Sequence, residues 1–408
     1  MKRLYRRNLR ICSIVLLLVF AMGLFTACGE SMEVEDFATN DGYELGGTPA
    51  AGKADGNQSE ESAGTGISKD MIKVGVLHLS DPAEGSGYTY THDLGIQGMQ
   101  QNLGLSDSQI VRKINVSDTD ADATRAAIQE CIDEGCNIIF TTSWGYMETT
   151  AEMAEEYPDV YFSHGTGYMS NGSNFNNYFG RIYQARYLSG IVAGMNTKSD
   201  KIGYVAAMDA TNSEVTGGID AFALGVYAVN PEARVYVKVT NSWFDPIAEE
   251  EAARHLLQMG CDVLTQHCDT AYPQTLAQEK GVYSIGYNSD MSKDAPEACL
   301  CSVIWNWSAY YTSAVQSVID STWDGSNYYG GMNENLVGIT SLADFCAEGT
   351  EAKVEEVKQK ILSGEFGVFD GVMETNTGET IGKEGKTLDD ATITGGINWY
   401  YKNVVVVE

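Results

Sequence analysis

Residues 131–170 read CIDEGCNIIFTTSWGYMETTAEMAEEYPDVYFSHGTGYMS, and residues 256–292 read LLQMGCDVLTQHCDTAYPQTLAQEKGVYSIGYNSDMS. Each stretch contains an apolar run, an amphipathic helical pattern and a second apolar run, which is typical of a strand–helix–strand unit. The two stretches align with one short gap and share Gly-Cys and Met-Ser pairs, so the chain contains two similar halves. Four pairs of positions coincide: Cys136 with Cys261, Trp144 with Asp269, Tyr161 with Tyr283, and Met169 with Met291.

The strand–helix rhythm continues on both sides of this repeat. In the first half, apolar runs predict strands at 72–79, 110–116, 136–143 and 160–164, with helices near 91–103, 122–134 and 148–156. In the second half, the predicted strands are 201–209, 234–240, 261–268 and 282–288, with helices near 214–229, 247–259 and 272–279. Strands separated by single helices imply right-handed crossovers and parallel pairing. The sequence therefore predicts an α/β fold with two doubly wound parallel-sheet lobes.

The N-terminal residues predict export. Residues 1–10 carry five basic side chains, and residues 11–27 form a short apolar stretch that ends in small residues. This pattern is typical of a signal peptide rather than a membrane span. LFTACGE, residues 24–30, resembles a bacterial lipobox, in which Cys28 would become the lipidated first residue of the mature chain. We expect a protein outside the cytoplasm, lipid-anchored to the bacterial cell membrane; the alternative is an ordinary signal peptide with a chance cysteine.

Composition excludes several function classes. Loss of residues 1–27 leaves 21 basic against 56 acidic side chains, a net charge near −35, so nucleic acid is a poor partner. Residues 28–70 are rich in Gly, Ser and acidic residues and predict a flexible acidic linker behind the anchor. The seven cysteines left after Cys12 and Cys28 are odd in number and form no repeated CxxC, which disfavours a disulfide framework or a zinc site. Four of them lie in apolar patterns and are predicted to be buried: Cys131, Cys261, Cys299 and Cys301.

Aromatic and short polar residues follow the predicted strands. In open parallel sheets, a ligand lies beyond the carboxyl ends of the strands, and Trp144, Trp243 and Trp305 fall in the segments that occupy those ends. If the two lobes face each other through these aromatic and polar strand ends, they would enclose a flat, partly polar small molecule. The sequence therefore predicts an interlobe binding cleft.

Motifs of catalysis are missing from the sequence. It contains no zinc-deaminase signature, no GxSxG at a strand–helix turn, no GxxxxGK[ST] and no HExxH. His92 and Asp93 are adjacent at the start of a predicted helix, where neighbouring side chains point in different directions and do not form an acid–base couple. We therefore expect a binding protein without catalytic residues, cofactor or metal.

An ordered set of motifs resembles one family. The set runs over about residues 72–408 and comprises IKVGVLHLSDP at 72–82, YFGRIYQARYLSGIVAGM at 178–195, TNSWFDP at 240–246, IGYNSDM at 285–291, GEFGVFDG at 364–371 and INWYYKNVVVV at 397–407. Together with the lipobox, these motifs resemble the basic membrane protein (Bmp) family of bacterial ABC-transporter substrate-binding lipoproteins. The resemblance implies a type I periplasmic-binding-protein fold, an ABC permease as partner, and a purine base or purine nucleoside as ligand.

Within that family the chain is similar to the branch that binds purine bases such as adenine. GYTYTHDLG at 87–95, QHCDT at 266–270 and SVIWNW at 302–307 carry this similarity. The nucleoside branch usually has an Asp-x-x-Phe-Asn pattern in the first loop and a lysine after the strand that ends near Val303. This chain has Tyr88, Tyr90 and His92 in the first loop and Trp-Asn-Trp at 305–307, which favours a free base.

A purine would need two aromatic faces and polar contacts along its edges. Stacking candidates are Tyr88, Tyr90 and Trp243, with Trp144 and Tyr146 on the opposite wall and Trp305 at a chain crossing. Polar candidates are Asp269, Asn288 and Asp290. The alternatives, a core-capping role for Trp243 and helix N-caps for the three polar residues, stay open. GSGYTYTHD, residues 85–93, is predicted to be a loop that turns over the strand end and presses its tyrosines on the ligand.

The predicted mechanism is closure of two lobes about a hinge. The chain is expected to cross between lobes near 180–200, near 302–308 and once more toward the C-terminus. This assigns residues 71–184 and 306–340 to the N-terminal lobe, and residues 185–305 and 341–408 to the C-terminal lobe. The alternative functions are a ligand-sensing lipoprotein and a binder of a sugar-like ligand.

Overall fold

The computed structural model describes residues 66–408; the predicted signal peptide, Cys28 and the linker up to residue 65 lie outside the described residues. The strands, numbered along the chain, are β1 (Val74–Leu77), β2 (Ile110–Lys113), β3 (Ile138–Thr141), β4 (Tyr161–Gly165), β5 (Phe175–Gly180), β6 (Lys201–Ala206), β7 (Arg234–Val239), β8 (Val263–His267), β9 (Tyr283–Asn288), β10 (Cys299–Trp305), β11 (Tyr328–Gly330), β12 (Val337–Ile339), β13 (Asp370–Glu374), β14 (Thr380–Thr387) and β15 (Val404–Val407).

The helices alternate with the strands over most of this range. They are α1 (Gly87–Leu103), α2 (Ala121–Asp133), α3 (Met147–Glu156), α4 (Ile182–Asn196), α5 (Ser213–Val229), α6 (Pro246–Gln258), α7 (Tyr272–Lys280), α8 (Trp307–Ile319), α9 (Thr350–Leu362) and α10 (Asp390–Gly395). Within residues 66–408, no helix combines the length and the apolar character needed to cross a membrane.

Two parallel sheets form two lobes, which confirms the predicted architecture. The first sheet has the order β11-β5-β4-β3-β1-β2, and all its pairs are parallel. The second has the order β12-β10-β9-β8-β6-β7-β15, in which only β12 runs antiparallel. Helices α1 and α8 pack together in the first lobe, while α4 pairs with α5 and α6 with α7 in the second.

The internal repeat is visible in the strand boundaries. β3 begins two residues after Cys136, and β8 begins two residues after Cys261. β4 and β9 begin at the aligned Tyr161 and Tyr283. The predicted burial of cysteines is also confirmed, since Cys131, Cys261, Cys299 and Cys301 are all buried. The two halves are therefore structurally equivalent where their sequences align.

The chain passes between the sheets three times. It leaves the first sheet after Gly180, returns at Asn306, and leaves again between β11 and β12. The segment 331–340, placed in the N-terminal lobe from sequence, includes β12, which pairs with β10 in the second sheet. Two short edge strands around this crossing give too little periodicity to locate it from sequence.

Arg181 braces the segments that cross between the lobes. Its guanidinium donates through Nε and Nη2 to the carboxylate of Asp390 at 3.1 and 2.6 Å, and through Nη1 to the carbonyl oxygen of Tyr329 at 2.7 Å. Arg181 begins the first crossing and Tyr329 precedes the third, so one side chain ties both crossings to α10. A planar guanidinium that donates two hydrogen bonds to one carboxylate orients both groups and stabilises their contact.

Helices α4 and α5 approach each other through glycine. At Gly190 a methyl group would overlap the carbonyl oxygen of Phe222, and at Gly225 it would overlap the carbonyl oxygen of Tyr187. Both helices are apolar around most of their circumference, with Ile191 and Ile219 completely buried. This pair is the centre of the second lobe, on which the carboxyl ends of β6, β8 and β9 are positioned.

Gly225→Ala is expected to destabilise the protein by about 1–3 kcal/mol, because the added methyl group forces α4 and α5 apart. Gly217→Ala in the same helix is the control, since a methyl group there meets no atom closer than 3.6 Å. That change is expected to be neutral or to stabilise by about 0.5–1 kcal/mol. Thermal unfolding of the two variants measures the difference, and equal melting temperatures would contradict the close helix packing.

Candidate functional site

The segment GSGYTYTHD forms the start of a helix and not an extended loop. Helix α1 begins at Gly87, four residues earlier than predicted, with Ser86 as its extended N-cap. Tyr88 and Tyr90 therefore lie about 200° apart around the helix and face different surroundings. The low helix propensity of a Gly-Tyr-Thr-Tyr-Thr sequence is overcome here by tertiary contacts, which the sequence pattern does not record.

The first turns of α1 pack directly on the second lobe. Thr91 donates its hydroxyl to the backbone oxygens of Asn288 at 3.0 Å and Trp305 at 3.4 Å. The ring of Tyr90 lies 5.2 Å from the Nζ of Lys293, a cation–π contact. Residues from the predicted lid thus hold the two lobes together at the carboxyl ends of β9 and β10.

Gly87 makes the closest approach between the lobes. Its φ of +80° is in the left-handed region, and a methyl group at this position would overlap the backbone carbonyl of Asp269. Only glycine satisfies both conditions without strain. The edge of the interlobe space beside Asp269 is consequently sealed by backbone against backbone.

Three rings form a continuous stack at the second crossing of the chain. Trp305 stacks on Trp307 with centroids 4.4 Å apart and planes 9° apart, and Trp307 stacks on His92 at 4.5 Å and 13°. Tyr88 meets the ring of His92 edge-on at 4.4 Å. The indole nitrogens of both tryptophans and the Nε2 of His92 are buried without a hydrogen-bond partner. Leaving buried polar atoms unpaired costs free energy unless a ligand or a water molecule forms a hydrogen bond with them.

His92 and Asp93 have separate partners, which agrees with the expectation that they do not form a couple. The Nδ1 of His92 lies 2.6 Å from the hydroxyl of Tyr311, and burial lowers the pKa of His92 well below its usual range, so the ring is neutral. Burial alone would raise the pKa of Asp93, but hydrogen bonds with His78 and Arg112 hold it well below its usual range. Asp93 is therefore a structural anion within the first lobe.

Asp269 and Asn288 form the polar edge of the second lobe. The Nδ2 of Asn288 donates to the Oδ1 of Asp269 at 2.8 Å, while the Oδ1 of Asn288 is buried without a partner. Asn288 is fully buried with a φ of +70°, and asparagine tolerates such strained backbone at functional sites. Desolvation, reinforced by the charge of Glu249, raises the pKa of Asp269 to about 7.

Glu214, which sequence reasoning missed, joins this polar edge. It lies in the first turn of α5, and its Oε1 is 3.8 Å from the Nε2 of His267. Desolvation raises its pKa to about 7, against the opposing charge of Arg186, although 29% of the side chain is accessible. Burial raises the pKa of Tyr88 well above its usual range, and the charges of Tyr178, Glu214 and Asp269 raise it further, so Tyr88 of the first lobe lies near both carboxyl groups of the second lobe.

The other predicted residues occupy different environments. Trp243 is half-buried with its ring edge-on to His267 at 5.9 Å, and its carbonyl accepts from the amide of Asp269 at 2.9 Å. The carboxylate of Asp290 caps a turn by accepting from the amide of Ser292 at 2.9 Å. Trp243 therefore borders the same polar edge, whereas the bonded carboxylate of Asp290 serves the local backbone.

Trp144 and Tyr146 are not brought to the lobe junction. Trp144 is 57% exposed and contacts Tyr168 of its own lobe at 5.9 Å. Tyr146 is completely buried, and its hydroxyl donates to the carbonyl of Val116 at 2.6 Å. Both residues lie in a short 3₁₀ turn between β3 and α3, whose direction sends one ring outward and the other into the core.

A positional signal could have found the missed residues. Asp269 directly follows the predicted strand 261–268, whereas Glu214 begins the predicted helix 214–229 that follows the strand 201–209, so extending the strand-end rule to the start of the next helix would have included Glu214. His92 lies four residues after Tyr88, which places the two on one face once the helix start is known. Trp307 is two residues beyond Trp305, across the chain crossing.

Comparison with known families identifies the chain over most of its length. The family model for Bmp, described as "ABC transporter substrate-binding protein PnrA-like", matches residues 72–370. A purine-binding protein of Brucella abortus is 35% identical over 341 residues, which cover 84% of this chain and 95% of that protein. A protein of Haloferax volcanii named for glucose binding within an ABC transporter is 31% identical over 313 residues, covering 76% and 78%.

Solved structures share the fold. An ABC transporter solute-binding protein from Conexibacter woesei has a TM-score of 0.60 at 20% identity and covers 72% of this chain and 98% of its own. A second, from Aeropyrum pernix, has a TM-score of 0.62 at 18% identity and covers 72% and 92%. The predicted type I periplasmic-binding-protein fold is thereby confirmed, and the chain belongs to the Bmp family of ABC transporter substrate-binding proteins.

Proposed function

We propose that this protein captures a purine base between its lobes and delivers it to an ABC permease. The observation that carries the proposal is the gathering of stacked rings and unpartnered polar atoms where the two lobes meet. Base–aromatic stacking contributes about 1–3 kcal/mol per base, and two aromatic candidates lie near the carboxyl groups: Tyr88 feels the charges of Glu214 and Asp269, and the carbonyl of Trp243 accepts from the amide of Asp269. The name of the Brucella relative supports a purine as the cargo.

Closure of the lobes is the proposed mechanism. Three crossings connect the lobes, and the contacts of α1 with the ends of β9 and β10 form only when the lobes meet. A ligand that touches both lobes favours the closed form by its differential affinity for that form. The closed form is then the one that the permease recognises. Anchoring through lipidated Cys28 outside the cytoplasm would keep the protein beside the permease.

A sugar is the second candidate ligand. The name of the Haloferax relative, 31% identical to this chain, refers to glucose. Sugars also stack on aromatic rings, so the aromatic residues at the lobe junction are compatible with either ligand. The partly buried carboxyl groups of Glu214 and Asp269 would then accept from sugar hydroxyl groups instead of ring N–H groups.

Adenine is expected to raise the melting temperature of the purified protein by about 5–10 °C at roughly 100 times its Kd, because it binds only the folded form. A thermal-shift panel of adenine, guanine, hypoxanthine, adenosine, guanosine, ribose and glucose measures this. Glucose as the single stabilising compound would replace the purine proposal by the sugar candidate. A panel without any stabilising compound would refute both.

Gly87→Ala is expected to weaken adenine binding at least tenfold, because the methyl group would hold the lobes apart at Asp269. Gly85→Ala is the matched control. Its φ of +79° gives it the same backbone strain as Gly87, but a methyl group there meets no atom closer than 4.0 Å. Isothermal titration calorimetry measures both variants, and equal losses would show that closure at this contact does not support binding.

A further inference from the structure

We propose that Glu214, acting with Asp269, accepts the ring N–H groups of the ligand and thereby restricts the cleft to bases that carry no ribosyl group. This inference rests on the proposed function, since it names the ligand subclass and the group that selects it. It assigns a specificity-determining role to a residue outside the motifs that indicated the family.

The topology places Glu214 and Asp269 at the same edge of the second sheet. Glu214 follows β6 and Asp269 follows β8, and these strands are adjacent and parallel, with Ala206 paired to His267. The carboxyl ends of neighbouring parallel strands open to the same edge of the sheet. The backbone of Asp269 lies against Gly87, so this edge of the second sheet faces the start of α1, and the charges of Glu214 and Asp269 both raise the pKa of the neighbouring Tyr88.

The pair has unused acceptor capacity. Within residues 66–408, the carboxylate of Glu214 accepts no hydrogen bond, and its Oε1 lies 3.8 Å from the Nε2 of His267. That nitrogen is instead 3.1 Å from the hydroxyl of Tyr287. Beside Asp269, the completely buried Asn288 leaves its Oδ1 without a partner. The second lobe therefore offers a buried amide oxygen and a carboxylate without a protein donor to a ligand that carries N–H groups.

The ligand that matches these acceptors is rich in N–H groups. A free purine base carries an N–H on its five-membered ring, and adenine adds an exocyclic amino group. In a nucleoside the ring N–H is replaced by the bond to ribose, which removes one donor and adds bulk. The contact of Gly87 with the backbone of Asp269 seals the edge of the space where that bulk would extend. Unpaired buried acceptors discriminate strongly against an analogue that lacks the donor.

Binding should also release protons at neutral pH. Desolvation raises the pKa of Glu214 and of Asp269 to about 7 each, so both are partly protonated without ligand. The charged and titratable groups near them in the second lobe are Arg186, His267 and Tyr287 on the side of Glu214 and Glu249 on the side of Asp269, while Tyr88 faces them from the first lobe. His267 is neutral because burial lowers its pKa well below its usual range.

The sign of the pH dependence follows from these directions. An N–H donor stabilises the carboxylate and lowers its pKa in the complex, so protons leave on binding. Adenine affinity should therefore rise as the pH increases from 6 to 8, by about tenfold for each carboxyl group that must be deprotonated.

Calorimetric titration with adenine and with adenosine at pH 6, 7 and 8, each in two buffers of different ionisation enthalpy, tests the inference. The wild-type protein is expected to bind adenosine at least 100-fold more weakly than adenine and to release protons on binding adenine at pH 7. Glu214→Gln should weaken adenine binding at least tenfold and reduce both the proton release and the pH dependence of binding. Glu251→Gln, at an exposed position on α6, changes the net charge equally and should behave as the wild type.

A second variant covers the case in which Glu214→Gln does not fold. Glu214→Asp keeps the carboxyl group but shortens the side chain, so it should weaken adenine binding while proton release on binding persists. Equal affinity for adenine and adenosine, or unchanged adenine binding by Glu214→Gln, would overturn this inference and leave the purine function intact. A wild-type protein that binds neither compound would instead overturn the purine function itself.

Discussion

The binding of a ligand between the lobes depends on the direct contact between the start of α1 and the strand ends of the second lobe. Gly87 lies against the backbone of Asp269, and the hydroxyl of Thr91 donates to the carbonyl of Asn288 at 3.0 Å. These contacts bring the rings of the first lobe and the carboxyl groups of the second lobe to the same junction, in addition to the chain crossings that connect the lobes. Removing polar atoms from water costs free energy until a partner forms hydrogen bonds with them. On the proposed function, a ligand would supply the missing partners of these groups.

Two kinds of chemistry meet in that space. The first lobe and the chain crossing contribute aromatic surface, with His92, Trp307 and Trp305 in one stack. The second lobe contributes the acceptors, Glu214 and Asp269, at the ends of adjacent strands. Flat rings supply affinity with little discrimination, whereas buried acceptors discriminate with less intrinsic affinity. A binding protein for a nucleobase needs both, and the division between lobes makes complete recognition depend on closure.

The sequence predicted the fold well because parallel α/β sheets carry their signal locally. Alternating apolar runs and helical patterns, and the repeat that pairs Cys136 with Cys261, established both lobes. Sequence patterns failed where tertiary contacts determine an element's boundaries. Helix α1 begins at Gly87 because the second lobe packs against its first turn. Strands of three residues, such as β12, are too short to show a periodic pattern. For the candidate site, the strand-end rule nominated Asp269 and Asn288, which the structure places in hydrogen-bond contact. It also nominated Tyr146, whose orientation depends on a 3₁₀ turn, and it passed over Glu214, because a glutamate in a first helical turn is ordinary for helix electrostatics.

The most direct test of the account is a crystal structure of the protein grown with adenine. The account predicts the base between the lobes, with a ring face on an aromatic side chain and ring or amino nitrogens at about 2.7–3.1 Å from the carboxylates of Glu214 and Asp269. A base bound elsewhere, or one whose nitrogen atoms point away from both carboxylates, would contradict it.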